Sequence, residues 1–544
     1  MRADAGLVVT ALAALCALPA ETQAQVLTSS PTAPGTASDR TASRSAEDGK
    51  VDALIALLVS EGIITQAKAD GLKQAVAAAP VAATVAQAPS GPPAAQPARP
   101  SMAAVENQSA IRQPEAPRPV EAAPPQAYAF PNNRDPSVDP SAPVVRNAAF
   151  AMQDQSWADR IRIDGDIRLR WQGEYFNNKS SATIPNWAGL STGGSAVPVT
   201  NYLPNNDRAR LRYRARLSFT ARVDDHFTAV IRLAAGNLTE PTSTDQTYGD
   251  FFNRDGVGID RAYLQWKPTK DIVVTGGRMP NPFYTTNLLW DGDVNPEGFA
   301  ASFRRKLNSG YVFATGAVFY LQENAGTTPD RFVYAGQVGV AGVPLSSSTH
   351  LRLAVTYYDW SHYRGVVGNS ATASTVLGVG NTLVDLDPLA NRVLPGVASS
   401  FRIAEVLGAV SQRLGNRYAI SGAFDYAVNL AYDRSALEAL PLLTQPNGNK
   451  AWMGAITIGD PNVSEFGQWQ VTGSYRRLET DSVIAAFTEG DYNPGGTNRT
   501  VLALEGLIGL DHNAWLQLSY FRNRFLSGPY YEYDGIRTQL NVRF

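Results

Sequence analysis

From Ile161 onward, apolar and polar positions alternate with a period of two, the signature of strands that turn one face to a greasy environment and the other to water. The longest run covers residues 208–223. Ala209, Leu211, Tyr213, Ala215, Leu217, Phe219, Ala221 and Val223 fall on one side, and Arg208, Arg210, Arg212, Arg214, Arg216, Ser218, Thr220 and Arg222 on the other. Residues 161–175 repeat the arrangement, with Ile161, Ile163, Ile167, Leu169, Trp171 and Tyr175 opposite Arg162, Asp164, Asp166, Arg168, Arg170, Gln172 and Glu174. Soluble strands run to about five or six residues, whereas a tilted strand crossing a bilayer needs about nine to eleven, so the length of these runs favours a membrane. An Arg or Lys on a lipid face near the midplane costs roughly 2 to 4 kcal/mol, so a whole face of charges must look into a wet lumen.

The same texture recurs at 227–237, 257–267, 271–279, 299–306, 311–322, 332–341, 350–360, 401–413, 417–432, 450–459, 466–478, 499–511, 514–525 and 535–544. With the first two, these segments predict about sixteen strands, within a range of fourteen to eighteen. Short turns such as Asp224-Asp225-His226, Asn308-Ser309-Gly310 and Asp511-His512-Asn513 alternate with long polar connections such as 177–206, 361–399 and 433–449. The fold class that fits is an all-β, transmembrane, antiparallel up-and-down β-barrel over residues 155–544. Trp171, Trp266, Trp360, Trp469 and Trp515 stand at strand ends, where interfacial girdles are expected.

The N-terminal part is different. Arg2, the apolar run Leu7 to Pro19 and the triplet Thr22-Gln23-Ala24 read as a secretory signal peptide over residues 1–24. That run is too short for a spanning helix, and no later stretch is apolar for the length such a helix needs. Cys16 follows Leu15, where lipidation would require a small residue. Residues 25–150 are rich in Ala, Pro, Ser and Gln and predict a linker without a core of its own. A short helical segment at 50–78 interrupts it, with Leu54, Leu57, Leu58, Ile63 and Leu72 on its apolar face and Thr65 as an N-cap. It reads either as marginal local helix or as an oligomerisation or envelope-anchoring module.

Composition narrows the chemistry. Cys16 is the one cysteine, so export and cleavage would leave a chain with no disulfide. A net charge of −2 argues against a nucleic-acid partner, and four dispersed histidines argue against a zinc enzyme. His226, His350, His362 and His512 fall mostly in turns or loops with no recognisable Ser motif, so no enzyme and no cofactor is expected. Asp291-Gly-Asp-Val-Asn-Pro-Glu297 alternates oxygen ligands, but Pro296 and Ser302 stand where a calcium loop needs Gly and Glu, and no metal is expected.

Two resemblances sharpen this. The last strand, Ile536 to Phe544, alternates and closes on an aromatic, and it resembles the assembly signal of bacterial outer-membrane proteins, with Phe544 as its terminal residue. That implies insertion by the barrel-assembly machinery into outer-membrane lipids. The segments Trp157 to Trp171, Gly258 to Trp266, Gly277 to Phe283 and Leu289 to Gly298 resemble the putative porin family of Gram-negative bacteria and, more distantly, carbohydrate- and phosphate-selective porins. The resemblance implies an exported, homotrimeric porin of the cell outer membrane for passive diffusion of small hydrophilic solutes or ions. A structural or adhesive barrel, tethered through the N-terminal region, is the alternative. An energy-coupled receptor would need about 22 strands and a plug, for which the chain is too short.

A porin of this kind would be lined by Arg162, Arg168, Arg170, Arg208, Arg210, Arg212, Arg214, Arg216, Arg222 and Arg278. This ladder either raises the local anion concentration or, opposed by Asp164, Asp166 and Glu174, sets up a field across the lumen; cross-strand pairing that stiffens the wall is compatible with both. Asp291, Asp293 and Glu297 either form a constriction opposite the arginines or belong to an ordinary solvated loop.

Overall fold

Inside a bilayer no water is available to unpaired backbone groups, so every strand must find neighbours on both sides, and this sequence meets that demand by closure. The computed structural model describes residues 160–544 other than 191, 193–194, 237–239, 325, 327, 368–376, 390 and 493–494. The export segment 1–24 and the region 25–150, including the helical segment 50–78, lie outside the described residues.

The barrel strands are β1 (Ile161–Phe176), β2 (Arg208–Arg222), β3 (Phe227–Ala235), β4 (Val257–Thr269), β5 (Ile272–Arg278), β6 (Glu297–Lys306), β7 (Tyr311–Gln322) and β8 (Arg331–Pro344). They continue as β9 (Thr349–Trp360), β10 (Phe401–Leu414), β11 (Tyr418–Asn429), β12 (Lys450–Gly459), β13 (Trp469–Leu478), β14 (Arg499–Asp511), β15 (Ala514–Phe525) and β16 (Glu532–Arg543). Each pairs antiparallel with the next, and β1 pairs with β16 from Asp166↔Arg543 to Phe176↔Tyr533, closing a barrel of sixteen strands. All sixteen sequence-predicted segments are strands here. Turns such as 223–226, 307–310 and 512–513 lie at one end; 177–207, 236–256, 279–296, 361–400, 430–449 and 479–498 emerge at the other. At the seam, Gly165 N donates to Phe544 O (2.9 Å) and Phe544 N to Gly165 O (3.0 Å). A Cβ at position 165 would meet the Phe544 ring at 2.8 Å, so the glycine makes room for the terminal aromatic on the outer face.

The distribution of burial is inverted relative to a water-soluble protein. Ile163, Leu264, Val338 and Ile456 are more than half exposed on the outer face, while Arg170, Glu405, Asp425 and Arg537 are buried inside. A single period-two pattern produces both results, because adjacent side chains point to opposite faces of the wall.

The lumen also holds an apolar core, built where long loops fold inward. Trp290 of loop 279–296 stacks on Trp360 (5.4 Å, 25°), and Trp360 stacks on Phe487 of loop 479–498 (5.5 Å, 16°). Phe283 sets its edge against Phe319 of β7 (6.1 Å) and Tyr358 of β9 (5.6 Å). Loop 361–400 adds Tyr363, Val366, Leu377, Leu383 and Val397 to the same cluster. Trp360 therefore does not belong to the interfacial girdle expected for it. It has the inward parity of Tyr358 and Thr356, and its indole is only 5% exposed. Trp266 remains on the outside, stacked on Phe227 (6.1 Å).

Candidate functional site

Alternation along β1, β2 and β16 places Arg168, Arg170, Arg210, Arg212, Arg214, Arg216 and Arg537 on inward-facing positions, and the strand register sets several of them side by side. Arg168 lies opposite Arg214 and Arg170 opposite Arg212, while Gln172 of β1 is flanked by Arg210 and Arg537. Like charges directly opposite each other on neighbouring strands are destabilising, so the wall needs carboxylates between its guanidinium groups.

Inward-folding loops supply most of them. Asp245, from the β3–β4 connection, lies 2.5 Å from Arg168 Nη2 and 2.9 Å from Arg170 Nη1, with Arg212 Nη1 at 3.8 Å. Burial alone would raise the Asp245 carboxyl; Arg168, Arg170 and Arg212 outweigh it and hold the group well below the usual carboxylate range. Asp491, from loop 479–498, joins Arg170 (2.6 Å) to Arg537 (3.0 Å). Asp166 of β1 bonds Arg214 (2.9 Å) and Arg216 (2.7 Å), and Asp293 of loop 279–296 approaches the same two at 3.5 and 3.3 Å. Arg210 pairs with Glu174 at 2.7 Å.

Loops 279–296 and 479–498 make the same traverse. Each is fixed to the apolar core by an aromatic, Trp290 or Phe487, and within a few residues offers a carboxylate, Asp293 or Asp491, to the arginine wall. They are also joined to each other. Asp291 N donates to Phe487 O (2.8 Å), Gly490 N donates to the Asp291 carboxylate (2.8 Å), and the Asn287 amide donates to Glu489. Burial pushes the Asp291 carboxyl well above its ordinary range, with Glu489, Asp293 and Asp491 adding to the effect. Glu489 is also raised, by burial and then Asp491, against the pull of Arg476 and Arg537.

The sequence-predicted site residues therefore divide. Arg168, Arg170, Arg210, Arg212, Arg214 and Arg216 come together. Arg208 and Arg222 stand exposed at the two ends of β2. Arg162 is exposed and pairs with Asp164 at 3.0 Å. Arg278 pairs with Glu297 at 2.5 Å, away from the cluster. Of the three loop acids, Asp293 meets the arginines and Asp291 binds loop to loop. Glu297 is the first residue of β6, in register with Arg278, so the strand begins two residues earlier than the periodicity predicts.

Asp245, Asp491 and Arg537 were not singled out by the sequence. Arg537 was accessible to it, since it lies on the face opposite Ile536, Leu540 and Val542 on a strand whose alternation is plain. The two aspartates lie in loops without periodicity. Among the described residues no cluster of three or more His, Cys, Asp or Glu is placed to hold a metal ion.

Comparison with known proteins gives a consistent family. The profile described as "Putative porin" matches residues 49–544. Similar solved structures include OprB of Pseudomonas putida (10% identity, TM-score 0.40, 71% of this chain and 95% of that one) and the outer membrane channel DcaP of Acinetobacter baumannii (10%, 0.36, 71% and 97%). A mutant porin of Rhodopseudomonas blastica is similar too (10%, 0.33, 71% and 100%). No curated protein matches the chain significantly. With its family profile matched from residue 49 to residue 544, the chain belongs to the putative porin family and is a channel of the Gram-negative outer membrane.

Proposed function

We propose that this channel lets small hydrophilic solutes and ions diffuse passively past an arginine wall on β1, β2 and β16, with a preference for anions. The observation that carries the reading is the register-matched row Arg210, Arg212, Arg214 and Arg216, whose side chains keep 11–15% exposure while facing carboxylates of which Asp166 is the most open. Positive groups fixed along one wall and negative groups held by loops opposite them give a transverse field. A solute crossing it is oriented by charge with no conformational work. Cleavage of residues 1–24 on export, a linker over 25–150, insertion by the barrel-assembly machinery and a homotrimeric assembly complete the proposal.

Single-channel recording of the refolded protein in a planar bilayer under a salt gradient tests it. Discrete steps with an anion-leaning reversal potential are expected, and the Arg212→Glu, Arg214→Glu double variant should move that potential toward cations. A folded, heat-resistant barrel that gives no steps would overturn the diffusion channel and favour a structural barrel tethered by its N-terminal region.

A further inference from the structure

One exposed apolar feature is left unused by a solute path. The β3–β4 connection, after delivering Asp245 to the arginines, turns outward: Gln246 pairs with Tyr213 and Thr247 with Arg212, and Tyr248 N donates to Leu211 O (2.9 Å). The Tyr248 ring then lies against Tyr213 (5.7 Å), whose hydroxyl donates to Asp255. Between these fixed points the chain makes a turn closed by Asn253 N donating to Asp250 O (2.8 Å), and Phe251 and Phe252 stand at its tip. Their exposures are 93% and 106%, and both take left-handed φ, +46° and +61°. Bulky side chains rarely adopt that backbone, and such outliers cluster at active sites, ligand clamps and switch regions.

We propose that Phe251 and Phe252 insert into the outer leaflet of the membrane, as an aromatic anchor beside the channel mouth. Continuity with the lipid-facing belt carries the assignment. Tyr248 rests on Tyr213, which shares the outward face of β2 with Leu211, and Val257 and Ile259 continue an exposed apolar surface at the start of β4. Arg254, exposed beside the tip, is placed to meet a lipid phosphate, while Asp255 is taken by Tyr213. An apolar tip flanked by Asp250 on one side and Arg254 on the other fits a zwitterionic or anionic headgroup layer over acyl chains, with Arg254 on the phosphate. The anchor and the Asp245 clamp lie on the same connection, so membrane contact would hold the part of that loop that reaches the arginine wall.

The test uses the full chain with Cys16→Ser, which removes its one cysteine, and Phe252→Cys carrying an environment-sensitive fluorophore. The barrel is reconstituted in vesicles of phosphatidylethanolamine and phosphatidylglycerol, and its folding is checked by heat-modifiable gel mobility. Brominated acyl chains should quench the label roughly threefold more than aqueous iodide does, and a label at the exposed Thr328, in the connection between β7 and β8, should show the reverse. Iodide quenching that dominates at position 252 would overturn the anchor. So would protection from both quenchers, which would mean that protein, such as a second copy of the chain, covers the tip. Arg254→Glu in the labelled chain should lower lipid quenching in phosphatidylglycerol vesicles; an unchanged ratio would remove the phosphate contact from the proposal.

Discussion

Two sides of the lumen hold the inward loops by different physics. Along β7 to β10 the contact is aromatic, with Trp290, Trp360 and Phe487 stacked and Phe283 set edge-on to Phe319 and Tyr358. Across from it, β16, β1 and β2 present guanidinium groups that are tolerable only with Asp245, Asp293 and Asp491 among them. Aromatic burial scales with area and accepts modest repacking. A buried charge network fails sharply when one partner is removed, because the remaining charges are left without compensation. Loops 279–296 and 479–498 use both, which gives each a firm anchor and, a few residues on, a charge whose place depends on its partner. The comparison teaches that loop position and pore charge are separable here.

Asp245→Ala should produce the largest effect, since one carboxylate serves Arg168, Arg170 and Arg212. The expected loss is about 4 kcal/mol of stability, with a reversal potential shifted toward anions. Denaturant-driven unfolding in detergent, followed by gel mobility, together with bilayer recording measures both; a stable variant with unchanged selectivity would remove Asp245 from the site. Trp290→Ala should cost about 3 kcal/mol by opening a cavity in the aromatic stack. Its unfolding midpoint should fall while its reversal potential stays close to that of the parent. A selectivity shift as large as that of Asp245→Ala would mean that the two sides do not act separately.

The smallest effect is in pH. Asp291 and Glu489 hold their protons above the ordinary carboxylate range, so on acidification they lose charge while Asp245 and Asp491, held low by arginines, remain ionised. Because their folded values are raised, the junction's contribution to stability is present on the acid side and is lost as pH rises from the ordinary carboxylate range through those raised values. Anion preference should rise on the same acid side. A reversal potential that is flat down to the pH where ordinary carboxylates titrate, or one still shifting in Asp291→Asn, Glu489→Gln, would break this account.

The barrel was legible because a strand between lipid and water shows its environment in every second residue, and β1 and β2 carry that pattern for their full lengths. The arginine wall was legible for the same reason. Its counter-charges were not. Asp245 meets Arg168 across 77 residues and Asp491 meets Arg170 across 321, and neither lies in a periodic segment. Trp360 misled for a related reason: an aromatic at a strand end reads as a girdle residue until a loop is known to cover it from inside. Glu297 read as a loop acid because it closes the oxygen-rich segment Asp291 to Glu297 ahead of a strand expected from 299, whereas pairing with Arg278 draws it into β6.

The seam between β1 and β16 has a kinetic consequence. Arg170 and Gln539, hydrogen-bonded neighbours across it, are 369 residues apart in the chain. Joining such distant segments adds little to the equilibrium cost, since each doubling of a loop takes only about 0.6 kcal/mol, but contacts this remote form late. Until they form, β1 and β16 are unpaired edges, each able to pair with the wrong strand or another chain. The final ring closure is thus expected to be the slow and vulnerable step, and a lesion at Gly165 or Phe544 should appear first as a lower yield of closed barrels, with the barrels that do close conducting normally.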